Sequence, residues 1–322
     1  LYGDNPLLKK ESLRKLLDYH MKNGVGATLL TAVVEKPSGY GRVIRDKYSA
    51  ISRIVEEKDA DDFEKNIKEI NTGIMCFAKD KLLPALKRVK ADNRKNEYYL
   101  TDTINLIYNS GGLVDSVRLS DINEAQGINS RKDLAVANSI MCRRIAEEWM
   151  AKGATIVDPD STFIGYGSNI GLDTVIYPFT VIESGVKIGK RCFVGPFAHL
   201  REGTVIEDDV IIGNFLEAVR SRISSRTIAK HFCYIGDSRI GHAVNIGAGT
   251  VTANFDGKRK QSTTIGDNSR IGSDTVFVAP VVVGKSVVSG AGSVIIKNVP
   301  ERATVVGVPA RVLKNSRGKN HG

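Results

Sequence analysis

From Ile164 onward an aliphatic residue returns at every sixth position: Ile164, Ile170, Ile176, Ile182, Ile188, Val194, Leu200, Ile206 and Ile212. Glycine often follows directly, as in Ile164-Gly165, Ile170-Gly171, Ile188-Gly189, Val194-Gly195 and Ile212-Gly213. The rhythm breaks between 218 and 230, resumes at Ile240 and Ile246, and continues at Ile265, Ile271, Phe277 and Val283. Sandwich strands alternate with period two and are irregularly spaced, so they do not produce this pattern. A six-residue step suits one short strand and one turn, and three steps close a triangular coil. The aliphatic residue points inward and stacks on its equivalents, while the glycine after it lets the backbone turn, often at positive φ. Stacked coils bury a continuous core that no single repeat could form. The reading for residues 154–322 is a left-handed parallel β-helix with a basic C-terminal tail.

Residues 1–130 follow another pattern. Helical stretches are expected over 10–20, 81–89 and 101–108, with strands over 27–34, 49–55 and 73–78 and a turn at Pro37-Ser38-Gly39-Tyr40-Gly41. Alternating strands and helices predict an α/β layered, Rossmann-like domain. It reads as incomplete: such a nucleotide domain opens on a strand and a glycine-rich phosphate loop, and this chain opens on Leu1-Tyr2-Gly3-Asp4. Between the halves, 131–153 reads as a linker helix, with Leu134, Ile140, Met141, Ile145, Trp149 and Met150 on its apolar side and Gly153 as its stop.

The net charge of +10 fits nucleic acid, phosphorylated small molecules or coenzyme A as partners. No basic stripe interleaved with aromatics and no helix-turn-helix pattern occurs, which argues against nucleic acid. Part of the excess lies in Arg311, Lys314, Arg317 and Lys319, read as a flexible basic end. No apolar run approaches the ~18 residues of a membrane span. Cys76, Cys142, Cys192 and Cys233 are scattered without a CxxC pair, which implies reduced thiols in a cytoplasmic protein and no zinc knuckle.

Several segments, in order, carry a resemblance. They are Leu1-Tyr2-Gly3-Asp4-Asn5-Pro6, Pro37-Ser38-Gly39-Tyr40-Gly41-Arg42, Ile54-Val55-Glu56-Glu57-Lys58-Asp59, Glu69-Ile70-Asn71-Thr72-Gly73 and Glu97-Tyr98-Tyr99-Leu100-Thr101-Asp102 in the first half. The second half has Gly195-Pro196-Phe197-Ala198-His199-Leu200-Arg201, Gly213-Asn214-Phe215, His231 with Tyr234-Ile235-Gly236-Asp237, and Asn245-Ile246-Gly247-Ala248-Gly249-Thr250. Nearly the whole chain thus resembles the GlmU family. That resemblance implies two activities in UDP-N-acetylglucosamine biosynthesis: acetyl transfer from acetyl-CoA to glucosamine-1-phosphate, and uridylyl transfer from UTP to N-acetylglucosamine-1-phosphate. It also implies a homotrimer assembled through the β-helix. The phosphate loop would precede Leu1, so the chain as it stands is expected to lack uridylyl transfer.

Residue roles follow from the same resemblance. Asp4 and Asn129 match ligands of Mg²⁺, a hard cation that takes oxygen donors beside phosphates. Tyr2, Gly3, Gly41, Glu56 and Asn71 match positions that, with these two, hold the UDP-N-acetylglucosamine. His231 matches the general base that deprotonates the glucosamine ammonium, a task that suits histidine near neutral pH. Arg201, Tyr234, Asn245 and Lys260 match contacts to the sugar phosphate, and Ala248, Asn254, Phe255, Ser273 and Ala291 match the acetyl-CoA site. Taken singly, an Asp before Asn-Pro is a turn former and a lone histidine or arginine is a solvated side chain; the ordered set favours the chemical reading.

Departures from the family pattern leave alternatives open. Paired lysines usually follow Gly-Asn-Phe-x-Glu, whereas Val219 and Arg220 stand here, removing one contact to the sugar. Asn254-Phe255 replaces Asn-Tyr, an arginine for the coenzyme is missing near the end, and the prism is short between Ile176 and Gly195. A non-catalytic scaffold subunit, or a hexapeptide acyltransferase with a different amino-sugar acceptor, would also fit. A zinc-dependent hydratase using His199, His231 and His242 is the remotest reading.

Overall fold

The computed structural model describes residues 1–94 and 96–315, which divide into two compact units at the boundary between Ile140 and Met141. In the first unit α1 (Lys10–Asn23) leads to β1 (Ala27–Val33), β2 (Arg42–Arg45), β3 (Ile51–Val55) and β4 (Glu69–Phe77). Then come α2 (Lys79–Leu86), α3 (Asp102–Asn109) and β5 (Val114–Arg118). The five strands make one sheet in the order β3-β2-β4-β1-β5, in which only β1 and β5 run parallel. The interior strand β1 is buried on both sides. Ala27 and Leu29 join Ile104 and Ile107 of α3 on one, and Leu30 and Ala32 join Leu16 of α1 on the other. Strands β2 and β5 are additions to the sequence reading. Each carries charged residues and lacks the apolar run that marks β1, so pairing decides their structure, with β3 across a short turn for β2 and with the distant β1 for β5.

A long helix, α4 (Arg131–Ala151), runs through the boundary between the units. Its last turns put Ala146 and Trp149 into the core of the second unit.

Among the described residues the second unit is a parallel β-solenoid with three faces. The first face carries eight strands, including His199–Leu200, Leu216–Val219, Cys233–Gly236 and Val251–Ala253. The second carries seven, including Val205–Ile206, Arg222–Ile223 and Ser238–Ile240. The third carries ten, including Ile211–Ile212, Ile228–Ala229, Asn245–Ile246 and Arg270–Ile271. Every aliphatic residue of the six-residue series is buried in one continuous core.

Three expectations are corrected. The array does not break between 218 and 230: Ala218, Ile223, Ala229 and Ile235 carry the inward column onward without interruption. Two steps, Ala218 to Ile223 and Ile235 to Ile240, are one residue short, and two inward residues are alanines, so the periodic signal fades while the coil persists. The glycine after the aliphatic residue is also not, in general, the left-handed residue. Positive φ falls further into each corner, at Asp173, Phe179, Arg191, Phe197, Asp209 and Phe215. Gly171 is small for a different reason, since a Cβ there would lie 2.5 Å from the backbone carbon of Gly189 on the next coil. Finally, the start of the basic tail is ordered: Arg311–Asn315 pairs antiparallel with Ala303–Val306. Arg317 and Lys319 lie outside the described residues.

Several buried corner hydroxyls are satisfied along the axis, those of Thr180 and Thr263 excepted. Thr174 donates to the Gly189 carbonyl at 2.7 Å, and Thr227 to that of Gly241 at 2.7 Å. At the corner between the third and first faces the rings of Phe179, Phe197 and Phe215 stack with centroids 4.9 and 5.1 Å apart. Ile176 is fully buried between Ile156 and Val194 of adjacent coils. Ile176→Ala should destabilise the second unit by about 2–5 kcal/mol, read as a lower denaturation midpoint in urea.

Candidate active sites

In the first unit a pocket of about 850 Å³ gathers Tyr2, Asp4, Gly41, Glu56, Asn71 and Asn129 on one wall system, six of the seven residues expected to hold the UDP-sugar. Gly3 is not among its lining residues. That volume suits a nucleotide sugar. Thr101 donates to Glu56 at 3.0 Å, and the backbone N–H of Gly73 donates to the Asn71 side-chain oxygen at 3.1 Å. Both acceptors are thus fixed against the wall. Asp4 and Asn129 converge on Gly127: a Cβ there would lie 3.5 Å from the Asp4 carboxylate and 3.8 Å from the Asn129 amide. The backbone N–H of Ile128 donates to the Asp4 carbonyl at 2.9 Å, closing the two segments on each other. Thr101, Lys36, Tyr40 and Gln126 also line the pocket and were not singled out in the sequence.

In the solenoid the candidate residues distribute over a corner, two faces and a loop. His231, Ala248, Ser273 and Ala291 each stand two residues after an inward residue of the third face, so they form one column at the corner leading to the first face. Backbone bonds from Gly249 to Phe232, Asp274 to Ala248 and Gly292 to Ser273 tie these corners together at 2.6–2.8 Å. The sequence placed His231 at an interruption of the coil. It occupies an ordinary corner instead, exposed, its imidazole without a hydrogen bond among the described residues.

The first face carries His199, Glu217, Tyr234 and Val251 in one outward column, with Arg201, Val219, Gly236 and Ala253 in the next. Arg201 donates to Glu217 at 2.8 Å and lies 3.7 Å from Glu183, which also meets His199 at 3.0 Å. The backbone N–H of Glu202 and the bond with His199 outweigh the opposing effect of desolvation and leave the Glu183 carboxyl below its ordinary range. Val219 is buried between Arg201 and Gly236 in its column. Arg220 does not take over its place on the face, for it turns the corner at φ +45 and pairs with Asp237. Asn245 sits on the third face. Lys260 closes a loop across 254–262, bridged to Phe255 and with its ammonium 5.8 Å from that ring's centroid. Asn254, at the base of this loop, is buried and donates to the Tyr234 hydroxyl at 3.4 Å. Glu183 and Glu217 were missed in the sequence, and Arg220 and Asp237 were read there without their pairing; that Glu217 aligns with Tyr234, and Arg220 with Asp237, appears only once the short step after Ala218 is counted. Among the described residues no three His, Cys, Asp or Glu side chains converge as a metal site. Also among those residues, no helix is long and apolar enough to cross a membrane.

Family models match the solenoid: "Bacterial transferase hexapeptide (six repeats)" over 167–202 and 185–216, and "Hexapeptide repeat of succinyl-transferase" over 262–297. Proteins named "Bifunctional protein GlmU" align through both units. That of Carboxydothermus hydrogenoformans is 42% identical over 345 residues, with 97% of this chain and 77% of that protein covered. That of a Geobacillus species is 40% identical over 347 residues, covering 98% and 76%. That of Fervidobacterium nodosum is 42% identical over 352 residues, covering 99% and 76%. These alignments are longer than the 322 residues of the chain, so they carry gaps on its side. With 40–42% identity running through both units, the chain belongs to the GlmU family of bifunctional transferases.

Proposed function

We propose that this chain serves UDP-N-acetylglucosamine biosynthesis, its solenoid moving an acetyl group from acetyl-CoA to the amine of glucosamine-1-phosphate. The observation that carries this is the corner column of His231, Ala248, Ser273 and Ala291 beside a face bearing Arg201, Tyr234 and Asn254. Small residues on successive corners leave a groove for the pantetheine arm, which would bring the thioester toward His231. The imidazole takes a proton from the glucosamine nitrogen, whose lone pair then forms the C–N bond to the thioester carbon. The tetrahedral oxyanion collapses, the C–S bond breaks, and coenzyme A leaves as thiol. Arg201 suits the sugar phosphate as a bidentate donor, and Lys260 and Asn245 would supply further polar contacts. Phe255, beside Lys260, would pack against the coenzyme. In one chain these residues occupy two faces and a loop. That dispersal supports a site completed between neighbouring prisms of a homotrimer.

The pocket in the first unit is proposed to hold UDP-N-acetylglucosamine and, for uridylyl transfer, UTP. Asp4 and Asn129 offer hard oxygens to Mg²⁺ at the Gly127 cradle. When bound there, the ion would neutralise phosphate charge. Glu56 and Asn71 orient the sugar, with Thr101 holding Glu56. Four free thiols support a reducing compartment, the cytoplasm.

Incubation of the chain with acetyl-CoA and glucosamine-1-phosphate should release free thiol, with chain-length-matched mass spectrometry showing the acetylated sugar. Absence of thiol release sinks the acetyl-transfer reading. Calorimetric titration with UDP-N-acetylglucosamine tests the pocket separately, and an Asn71→Ala chain should bind it about tenfold more weakly, by loss of a buried polar contact.

A further inference from the structure

Asp237 lies where the first face turns into the second, at φ +49. Arg220, one coil before it, donates from Nε at 2.6 Å and from Nη2 at 2.8 Å to the two carboxylate oxygens. This bidentate pair, with the Asn254 amide and the nearby charge of Lys260, holds the carboxyl below its ordinary range. The amide of Asn254 also makes a very short hydrogen bond to the same carboxylate.

The chemistry of a carboxylate decides the rest. An ionised carboxylate only accepts, so the Asn254 atom against it is the NH₂, although amide nitrogen and oxygen are otherwise interchangeable in outline. The same NH₂ lies 3.4 Å from the Tyr234 hydroxyl oxygen, which therefore accepts. Its own O–H remains to be donated elsewhere. The Asn254 oxygen is left as an acceptor without a donor among the described residues.

We propose that Asp237, clamped by Arg220, is a positioning residue for acetyl transfer, fixing the Asn254 amide so that its oxygen accepts from the reacting amine while Tyr234 donates to the thioester oxygen. The inference rests on the acetyl-transfer reading above. Without the carboxylate the amide is free to rotate by half a turn. Its NH₂ would then face the amine, and Tyr234 could spend its proton on Asn254. Arg220 keeps the carboxylate ionised and in place, a task for which the fork of a guanidinium is suited.

The test is a kinetic cycle on the full chain, with kcat from thiol release and coenzyme affinity from calorimetry. Asp237→Asn should lower kcat about 100-fold, the size expected for misplacing a reacting group by about 1 Å, with acetyl-CoA affinity within threefold of the original. Asn254→Ala should cost a similar factor, and the double variant should be no slower than Asn254→Ala alone, because the first residue acts through the second. Arg220→Ala provides an independent variant should Asp237→Asn fold poorly. It should lower kcat in the same direction and likewise be silent once Asn254 is alanine. An Asp237→Asn chain with unchanged kcat, or losses that multiply in the double variant, overturns the positioning role. Lack of turnover in the unsubstituted chain overturns the acetyl-transfer reading and takes this inference with it.

Discussion

His231→Ala should reduce acetyl transfer by roughly 10²- to 10⁴-fold, the usual contribution of a positioned general base. The side chain is exposed at a corner and holds nothing else in place, so its removal leaves the solenoid's stability almost unchanged. The expected loss is therefore in kcat, with the affinities for acetyl-CoA and sugar phosphate retained. The pH dependence should change as well. With the base absent, only acceptor that has already lost its ammonium proton in solution can attack. The residual rate should then rise about tenfold per pH unit until the amine itself is titrated. Turnover within a few-fold of the unsubstituted chain, with the pH profile intact, would remove His231 from the mechanism.

Gly236→Ala should separate activity from stability more sharply still. A Cβ at this position would lie 2.5 Å from Nδ2 of Asn254, 2.6 Å from the Tyr234 hydroxyl and 2.9 Å from its ring. The atoms in the way are the far ends of two side chains, not backbone, so the coil can accept the methyl while both polar groups move aside. A displacement of this order in groups beside the proposed reacting centre corresponds to about a 100-fold fall in kcat. Thermal unfolding of the second unit should shift by only a few degrees, for a change of about 1 kcal/mol. If kcat is unaffected, Tyr234 and Asn254 do not act at the reacting atoms, and the site belongs elsewhere on the prism.

The solenoid was legible because its determinant is local and repetitive: one aliphatic residue, one step, one inward position. Legibility failed where the steps lost a residue and the inward residue shrank to Ala218 and Ala229, since a small side chain still fills a coil narrowed by its neighbours yet leaves little trace in hydropathy. The same local blindness hid Asp237 and Glu217. Neither is unusual in its own segment, and each acquires a role only beside a residue one coil away, Arg220 for the first and Arg201 for the second. In the first unit the interior strand β1 announced itself through a largely apolar run. Strand β5 was set by pairing with the distant β1, and β2 by pairing across a short turn with β3. The pocket was readable only through family motifs, because Tyr2 and Asn129 meet across almost the whole unit.

The short steps and the loop between Ala253 and Thr263 share a property. Register downstream of each is restored: Val251–Ala253 still pairs with Val276–Val278, and Ser238–Ile240 with Thr263–Ile265. Length in such an array comes in quanta. A whole coil can be gained or lost between Ile156 and Val194 while every later side chain keeps its column, just as a zip closes with fewer teeth. A lineage can thus shorten the prism without touching the corner that carries His231.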